Sequence, residues 1–392
     1  MAVSRVAVIG AGTMGGGIAQ VAAAAGHQVI LADTLAGAVE RARDAHQKTM
    51  AREVEKGRLV QPAADELLGR ISYLTPAVGD FSALAGADLV IEAIIEDLGV
   101  KQATFKGLEA VVGPQAILAT NTSSLSVTAI GSACPRPERV IGIHFFNPAP
   151  VLPLVEIVPG VLTDPAVTNE SRALIDGWGK TTVIASDTPG FIVNRIARPF
   201  YSEALRIFEE GIADRATIDW AMRDAGGFKM GPFELMDLIG NDINYAVSQS
   251  VFEGFGFDPR YRPFLSQKRL VEGGLLGRKT RRGHFDYRAG ALNPEPTKDQ
   301  QLAIDVFQRV LAVLINSAVD ALFWRVATRE DIDLAMTKGV NYPMGLLRWA
   351  DDIGPAEILA RLDRLSAEYG EDRYRASPLL RRMVRDGRGF YS

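Results

Sequence analysis

Ser4-Arg-Val-Ala-Val-Ile-Gly10-Ala-Gly12-Thr-Met-Gly15 decides the fold. After Arg5 the run is unbroken by polar residues and β-branched, as a buried parallel strand requires, and the glycines follow at once. Gly10 suits the tight turn and Gly12 lets a backbone approach a pyrophosphate. Gly15 lets the helix predicted from Thr13 to about Ala25 pack on the sheet. The first amides of that helix, at Thr13, Met14 and Gly15, form an anion site on the positive end of its dipole. A second strand, His27–Ala32, ends at Asp33, close to the spacing of about 20 residues expected for a carboxylate that takes adenosine ribose hydroxyls. Asp33 therefore favours NAD over NADP.

Working outward, residues 70–74, 87–92 and 115–119 read as further strands separated by helical or loop segments. Alternation of this kind predicts a Rossmann-type α/β domain with a mostly parallel, doubly wound sheet. The charged stretch from Leu35 to about Gly57 is helical in composition and carries Arg41, Arg43, Lys48, Arg52, Lys56 and Arg58. It is either a solvated face or a surface that meets a phosphorylated substrate. After Thr188-Pro-Gly190 the pattern turns helical, and Pro199 is expected to kink the helix that carries Asn194. A Pro/Gly segment at 289–297 marks another boundary. The expected domains are 1–187, followed by two all-α segments, 188–290 and 296–392.

Those two segments are a repeat. Residues 194–240 align without a gap on 308–354 at an offset of 114: Arg195 with Arg309, Ile218-Asp219 with Ile332-Asp333, Met230-Gly231 with Met344-Gly345, Ile239-Gly240 with Ile353-Gly354. Asp258 falls on Asp372 at the same offset. Gln308 stands opposite Asn194 and Ser317 opposite Glu203, so the second copy reads as structural.

Composition narrows the function class. The chain has 392 residues, 47% of them hydrophobic, and a formal net charge of -4 without a basic block, which gives no footprint for nucleic acid or an anionic membrane. One cysteine, Cys134, fits a reducing compartment. The strand beginning at residue 4 leaves no room for a signal peptide, and no apolar run is expected to span a bilayer. A cytoplasmic enzyme is the expectation.

The chemistry lies downstream. His144 ends one apolar run (139–144) and Glu156 sits inside the next (154–158), so the two can meet across adjacent strands. A buried carboxylate needs a partner, and an imidazole held by one is a general base awaiting a hydroxyl. Ser123, in Thr120-Asn-Thr-Ser-Ser124, could bond that hydroxyl or cap a helix. Asn194 could donate to an oxyanion or thioester carbonyl, or link domains.

With Asn121-Thr-Ser123, His144-Phe-Phe-Asn-Pro148, Glu156 and Asn194-Arg195 in this order, the chain resembles the 3-hydroxyacyl-CoA dehydrogenase (3-hydroxybutyryl-CoA dehydrogenase) family over residues 4–287. The duplicated helical segment resembles its longer bacterial members. The resemblance implies NAD-dependent oxidation of a (3S)-3-hydroxyacyl-CoA to the 3-oxoacyl-CoA. It makes His144 the base, Glu156 its orienting partner, and Ser123 and Asn194 substrate contacts. It also gives cofactor contacts to Asp33, Glu96, Lys101 and Asn121, beside the glycine loop, and an acyl-CoA contact to Lys56. His284 stands where the family commonly has an aromatic residue. The alternatives are a dehydrogenase of a free hydroxy acid, of the gulonate type, and a non-catalytic NAD-binding protein. A 6-phosphogluconate-type enzyme would carry a lysine where Gly190–Asn194 stands. Short members pair through their helical domains, so residues 299–392 are expected to pack on 190–290 as an internal pseudo-dimer.

Overall fold

The computed structural model describes residues 3–391, which divide into two compact units, one ending at Thr188 and the other beginning at Pro189. In the first unit the strands are β1 (Arg5–Ile9), β2 (Gln28–Ala32), β3 (Ile71–Leu74), β4 (Leu89–Glu92), β5 (Ile117–Thr120), β6 (Val140–Phe145), β7 (Leu154–Pro159) and β8 (Thr181–Ile184). The helices are α1 (Thr13–Ala24), α2 (Ala36–Glu55), α3 (Gln61–Gly69), α4 (Leu98–Glu109), α5 (Val127–Gly131) and α6 (Pro165–Gly177). They build one eight-stranded sheet in the order β3-β2-β1-β4-β5-β6-β7-β8. Every neighbouring pair is parallel except β6 and β7, which run antiparallel. The sheet is buried on both faces: Val6, Val8, Leu31, Leu89, Ile91, Ala119 and Ile143 of one face join an apolar core with Ile18 and Ala22 of α1, and Ala7, Val90 and Leu118 of the other face are fully buried as well. The chain order reverses between β1 and β4, so the carboxyl ends of the strands open a crevice where such sheets take their ligands.

The second unit is helical: α7 (Val193–Ile196), α8 (Arg198–Glu209), α9 (Arg215–Asp224), α10 (Pro232–Ile239), α11 (Asn241–Gly254), α12 (Leu265–Glu272), α13 (Gln300–Phe323), α14 (Arg329–Gly339), α15 (Leu346–Ile353), α16 (Pro355–Tyr369) and α17 (Pro378–Asp386). The helix expected to kink is broken instead: α7 ends at Ile196 and α8 starts after Ala197, one residue ahead of Pro199. Pro199 stands in the first turn of α8, where a missing amide costs nothing.

The repeat is visible in local chemistry. Asp219 accepts from the amides of Phe233 (2.8 Å) and Glu234 (2.9 Å), and Asp333 accepts from Leu347 (2.8 Å) and Arg348 (3.1 Å), the counterparts 114 residues on. Arg195 stacks over Phe255 at 4.8 Å, and Arg309 over Tyr369 at 4.9 Å. Both copies lie in one unit, with α13 packed on α8 and α9. Across that contact Arg309 meets Glu203 (2.7 Å), Arg206 meets Glu371 (2.7 Å), and buried Glu203 also accepts from the Tyr374 hydroxyl (2.6 Å).

One expectation is corrected. α13 is 24 residues long and apolar enough, by length and composition, to cross a membrane. Its apolar residues Val310, Leu311, Leu314, Ile315, Ala318 and Val319 are all buried in the helical unit, which accounts for the composition without a bilayer.

Candidate active site

The glycine loop has the geometry its sequence implies. Gly10 takes a φ of +98°, and a Cβ there would lie 2.4 Å from the carbonyl oxygen of Ala93. At Gly15 a Cβ would fall 1.8 Å from the oxygen of Gly10, so only glycine lets α1 begin so close to the turn. Gly12 differs: a Cβ there would meet no protein atom within 4 Å. Gly12 is also the N-cap of α1 and offers no side-chain acceptor, so the first-turn amides, those of Thr13 and Met14 among them, have no side-chain cap. An open approach above uncapped amides suits a pyrophosphate. Asp33, just past β2, accepts from the amide of Ala11 (2.7 Å) and from that of Leu35 (2.9 Å), which fixes its carboxylate beside the glycine loop. These residues fit a bound dinucleotide.

Three strands along, the ends of β4, β5 and β6 form a polar cluster. Glu92, the last residue of β4, is fully buried and accepts from Lys101 Nζ (2.6 Å) and the Thr120 hydroxyl (2.8 Å). Lys101 is itself 1% exposed and also reaches Glu96 (3.2 Å). Glu96 accepts from the Thr122 hydroxyl (2.5 Å), the Ser123 amide (3.0 Å) and the Ser124 hydroxyl (3.0 Å). Burial pushes the Glu96 carboxyl up, but the Lys101 ammonium and these donors outweigh it and hold it below its ordinary value. The loop bearing Ser123 is thus pinned by a charged framework. Asn121 connects it to the next strand: its side-chain oxygen accepts from the amide of Phe145 at 2.8 Å, beside His144.

His144 and Glu156 stand directly opposite each other in the β6–β7 register, and His144 Nδ1 donates to Glu156 Oε2 at 2.7 Å. Both are buried, His144 at 5% exposed and Glu156 at 0%. In a neutral imidazole, a carboxylate on Nδ1 selects the tautomer with the proton on that nitrogen and makes Nε2 the acceptor. The ring of Phe146 lies 4.5 Å from the imidazole.

The first unit therefore collects Gly10, Gly12, Gly15 and Asp33 at one end of the crevice, and Glu96, Lys101, Asn121, Ser123, His144 and Glu156 at the ends of β4 to β7. Two expected residues are not part of this set. Lys56 caps the C-terminus of α2 and is exposed. Asn194 belongs to the helical unit, on α7. Two contributors escaped the sequence reading. Glu92 reads as the end of an apolar strand, and the signal was Lys101 nine residues on, since a buried carboxylate requires a cation or donors. Asp187 accepts from the Ser126 hydroxyl (2.7 Å) and the amides of Val127 (2.9 Å) and Thr128 (2.8 Å), tying the start of α5 to the segment after β8.

Residues 5–188 match the family profile described as 3-hydroxyacyl-CoA dehydrogenase, NAD binding domain. The C-terminal domain profile of the same family matches residues 190–287 and again 306–389. The chain is 41% identical to the 3-hydroxyadipyl-CoA dehydrogenase of Escherichia coli (strain K12), an alignment that covers 97% of each chain. It is 42% identical to the 3-hydroxybutyryl-CoA dehydrogenase of Bradyrhizobium diazoefficiens, over 76% of this chain and 99% of that one. Among solved structures, that of a 3-hydroxybutyryl-CoA dehydrogenase from Escherichia coli K12 superposes with a TM-score of 0.92 at 40% identity, covering 99% of this chain and all of the other.

Proposed function

Since this chain belongs to the 3-hydroxyacyl-CoA dehydrogenase family, we propose that His144 and Glu156 are the base and its orienting partner in its NAD-dependent oxidation of a 3-hydroxyacyl-CoA. The observation that carries this reading is the 2.7 Å bond between the two side chains at the open end of the sheet.

A secondary alcohol gives up its hydroxyl proton as the C–H bond at the same carbon breaks, so a base must stand at the oxygen. His144 Nε2, left with its lone pair by the bond on Nδ1, takes that proton, and Glu156 stabilises the imidazolium that results. In the reverse direction the same nitrogen returns it. NAD, when bound, supplies the acceptor for the hydride. Its phosphates fit the Gly12–Gly15 amides, and its adenosine ribose fits Asp33, whose charge disfavours the 2′-phosphate of NADP. Ser123 is assigned to the substrate hydroxyl, and Asn194 to the thioester carbonyl or the oxyanion that develops. Glu96, Lys101 and Asn121 hold the Ser123 loop and the cofactor side of the site. The exposed ammonium of Lys56 suits a phosphate of CoA.

The experiment follows absorbance of NADH. His144→Ala should lower kcat on 3-hydroxybutyryl-CoA by roughly 10²- to 10⁴-fold with NADH affinity little changed, and Glu156→Gln should lower kcat as well. Near-normal turnover by the His144 variant at neutral pH overturns the assignment of the base. Equal specificity constants for free 3-hydroxybutyrate and its CoA thioester overturn the substrate class.

A further inference from the structure

Arg198 lies four residues beyond Asn194, at the start of α8, and is 6% exposed. Its guanidinium donates to the carbonyl of Asn194 (Nε, 3.0 Å), to that of Asn244 (Nη1, 3.4 Å) and to the Ser248 hydroxyl (Nη1, 3.3 Å), and it sits 5.0 Å over the ring of Tyr201. All of these partners are neutral. No carboxylate among the described residues forms an ion pair with it, whereas Arg309 and Arg373 of the same unit both meet Glu203. The Tyr342 side chain belongs to the same neighbourhood, with its ring 5.8 Å from that of Phe200, and its buried hydroxyl has no hydrogen-bond partner. Burial holds the Arg198 pKa below its ordinary value, yet an arginine keeps its proton at any working pH. The protein thus buries a cation without an anion, which is costly unless an anion arrives.

The repeat excludes a general structural need. Arg198, Tyr201, Asn244 and Ser248 correspond, at the offset of 114, to Ala312, Ile315, Ile358 and Leu362, all fully buried and apolar. The second copy packs the same place with hydrocarbon. The polar group occurs only in the copy that also carries Asn194. Arg195, the neighbouring buried arginine, is different: its stacking on Phe255 is reproduced by Arg309 on Tyr369, so the repeat accounts for it.

We propose that Arg198, with Tyr201, Asn244 and Ser248 around it, is a specificity determinant that receives a carboxylate at the far end of the acyl chain, so that the preferred substrates are CoA monothioesters of short dicarboxylic acids. The inference rests on the reading above in which Asn194 meets the thioester end. Although α7 and α8 are separate helices, the bond from Arg198 Nε to the Asn194 carbonyl (3.0 Å) holds the guanidinium against the backbone of Asn194, so the two groups lie within the reach of a few methylenes. A planar monoanion matches a guanidinium at this degree of burial, whereas a phosphate of CoA, larger and more highly charged, needs a wetter site.

The test compares 3-hydroxyadipyl-CoA with 3-hydroxyhexanoyl-CoA, equal in chain length and differing at the terminal group. The wild-type enzyme should favour the first in kcat/KM by at least about 10²-fold, since a site built for a charged partner rejects an analogue that leaves it unpaired. Arg198→Met should bring that ratio towards one, and Arg198→Lys should keep part of it. A wild-type ratio near one overturns the proposal without any variant, as does an Arg198→Met enzyme that loses the same factor on both substrates. NADH from neither substrate is a different failure, that of the dehydrogenase reading itself.

Discussion

Phe228 and Tyr342 are separated by the 114 residues of the repeat, and their rings touch edge to face at 5.0 Å. A residue meets its own counterpart only near an axis that exchanges the two copies, as in a two-fold dimer where the same patch serves both sides. α13, the counterpart of the α7–α8 segment, packs on α8, so the helices that correspond also meet. From both relations we infer that the two copies pack as an internal pseudo-dimer, which deletion of the second copy tests.

Deleting residues 296–392 should then uncover the α8 and α9 faces that α13 covers, and leave buried Glu203 without Arg309, Arg373 or Tyr374. The shortened chain is expected to dimerise or aggregate in light scattering after size exclusion. Gln308→Ala in the full chain should leave kcat and KM unchanged. A truncated chain that stays monomeric and soluble would count against the pairing, as would impaired kinetics of the Gln308 variant.

Two glycines of the nucleotide loop separate binding from folding. Gly12 has a φ of -73°, ordinary for any residue, and open space where a Cβ would be. Gly12→Ala should keep the melting temperature while weakening NADH by about tenfold or more, roughly 1.4 kcal/mol, because the methyl stands in the approach of the pyrophosphate. Gly15→Ala must move the Gly10 carbonyl by more than 1 Å, an overpacking that costs about 1–3 kcal/mol or more and should lower Tm by several degrees. Calorimetry and fluorescence titration of both variants check the contrast, and a Gly12 variant with unchanged NADH affinity would contradict it.

The parts of this arrangement that the sequence displays are those governed by local rules. The glycine spacing and the apolar runs of β1 to β7 report directly on a buried sheet, and the facing of His144 and Glu156 follows from one charged residue in each of two such runs. β8 escaped because Thr181-Thr182 dilutes its apolar pattern. The antiparallel turn from β6 to β7 was within reach: the eight residues between Phe145 and Leu154 are too few for the crossover of a dozen or more that parallel neighbours require. Arg198 was not legible, since nothing in Ile196-Ala-Arg-Pro marks a cation that folding will bury among carbonyls and aromatic rings. That fact belongs to packing between residues far apart in the chain.

His284 offers a test by pH. Its ring is 5% exposed, lies edge to face against Phe233 at 4.8 Å, and neither ring nitrogen has a hydrogen-bond partner. Burial, reinforced by the nearby Arg215 cation, pushes its pKa down to about 3. An unfolded chain takes up the proton near 6.5, so below about pH 6.5 the unfolded state binds more protons and stability falls until about pH 3. At pH 5 the loss from this one residue is about 2 kcal/mol. The other copy shows the remedy: Phe390 occupies the matching place, its amide donating to Asp351 (2.7 Å) as that of His284 donates to Asp237 (2.9 Å). His284→Phe should therefore match or exceed the wild-type urea midpoint at pH 7.5 and lose less than the wild type on going to pH 5. Equal losses in the two proteins would show that the acid sensitivity of the helical unit arises elsewhere.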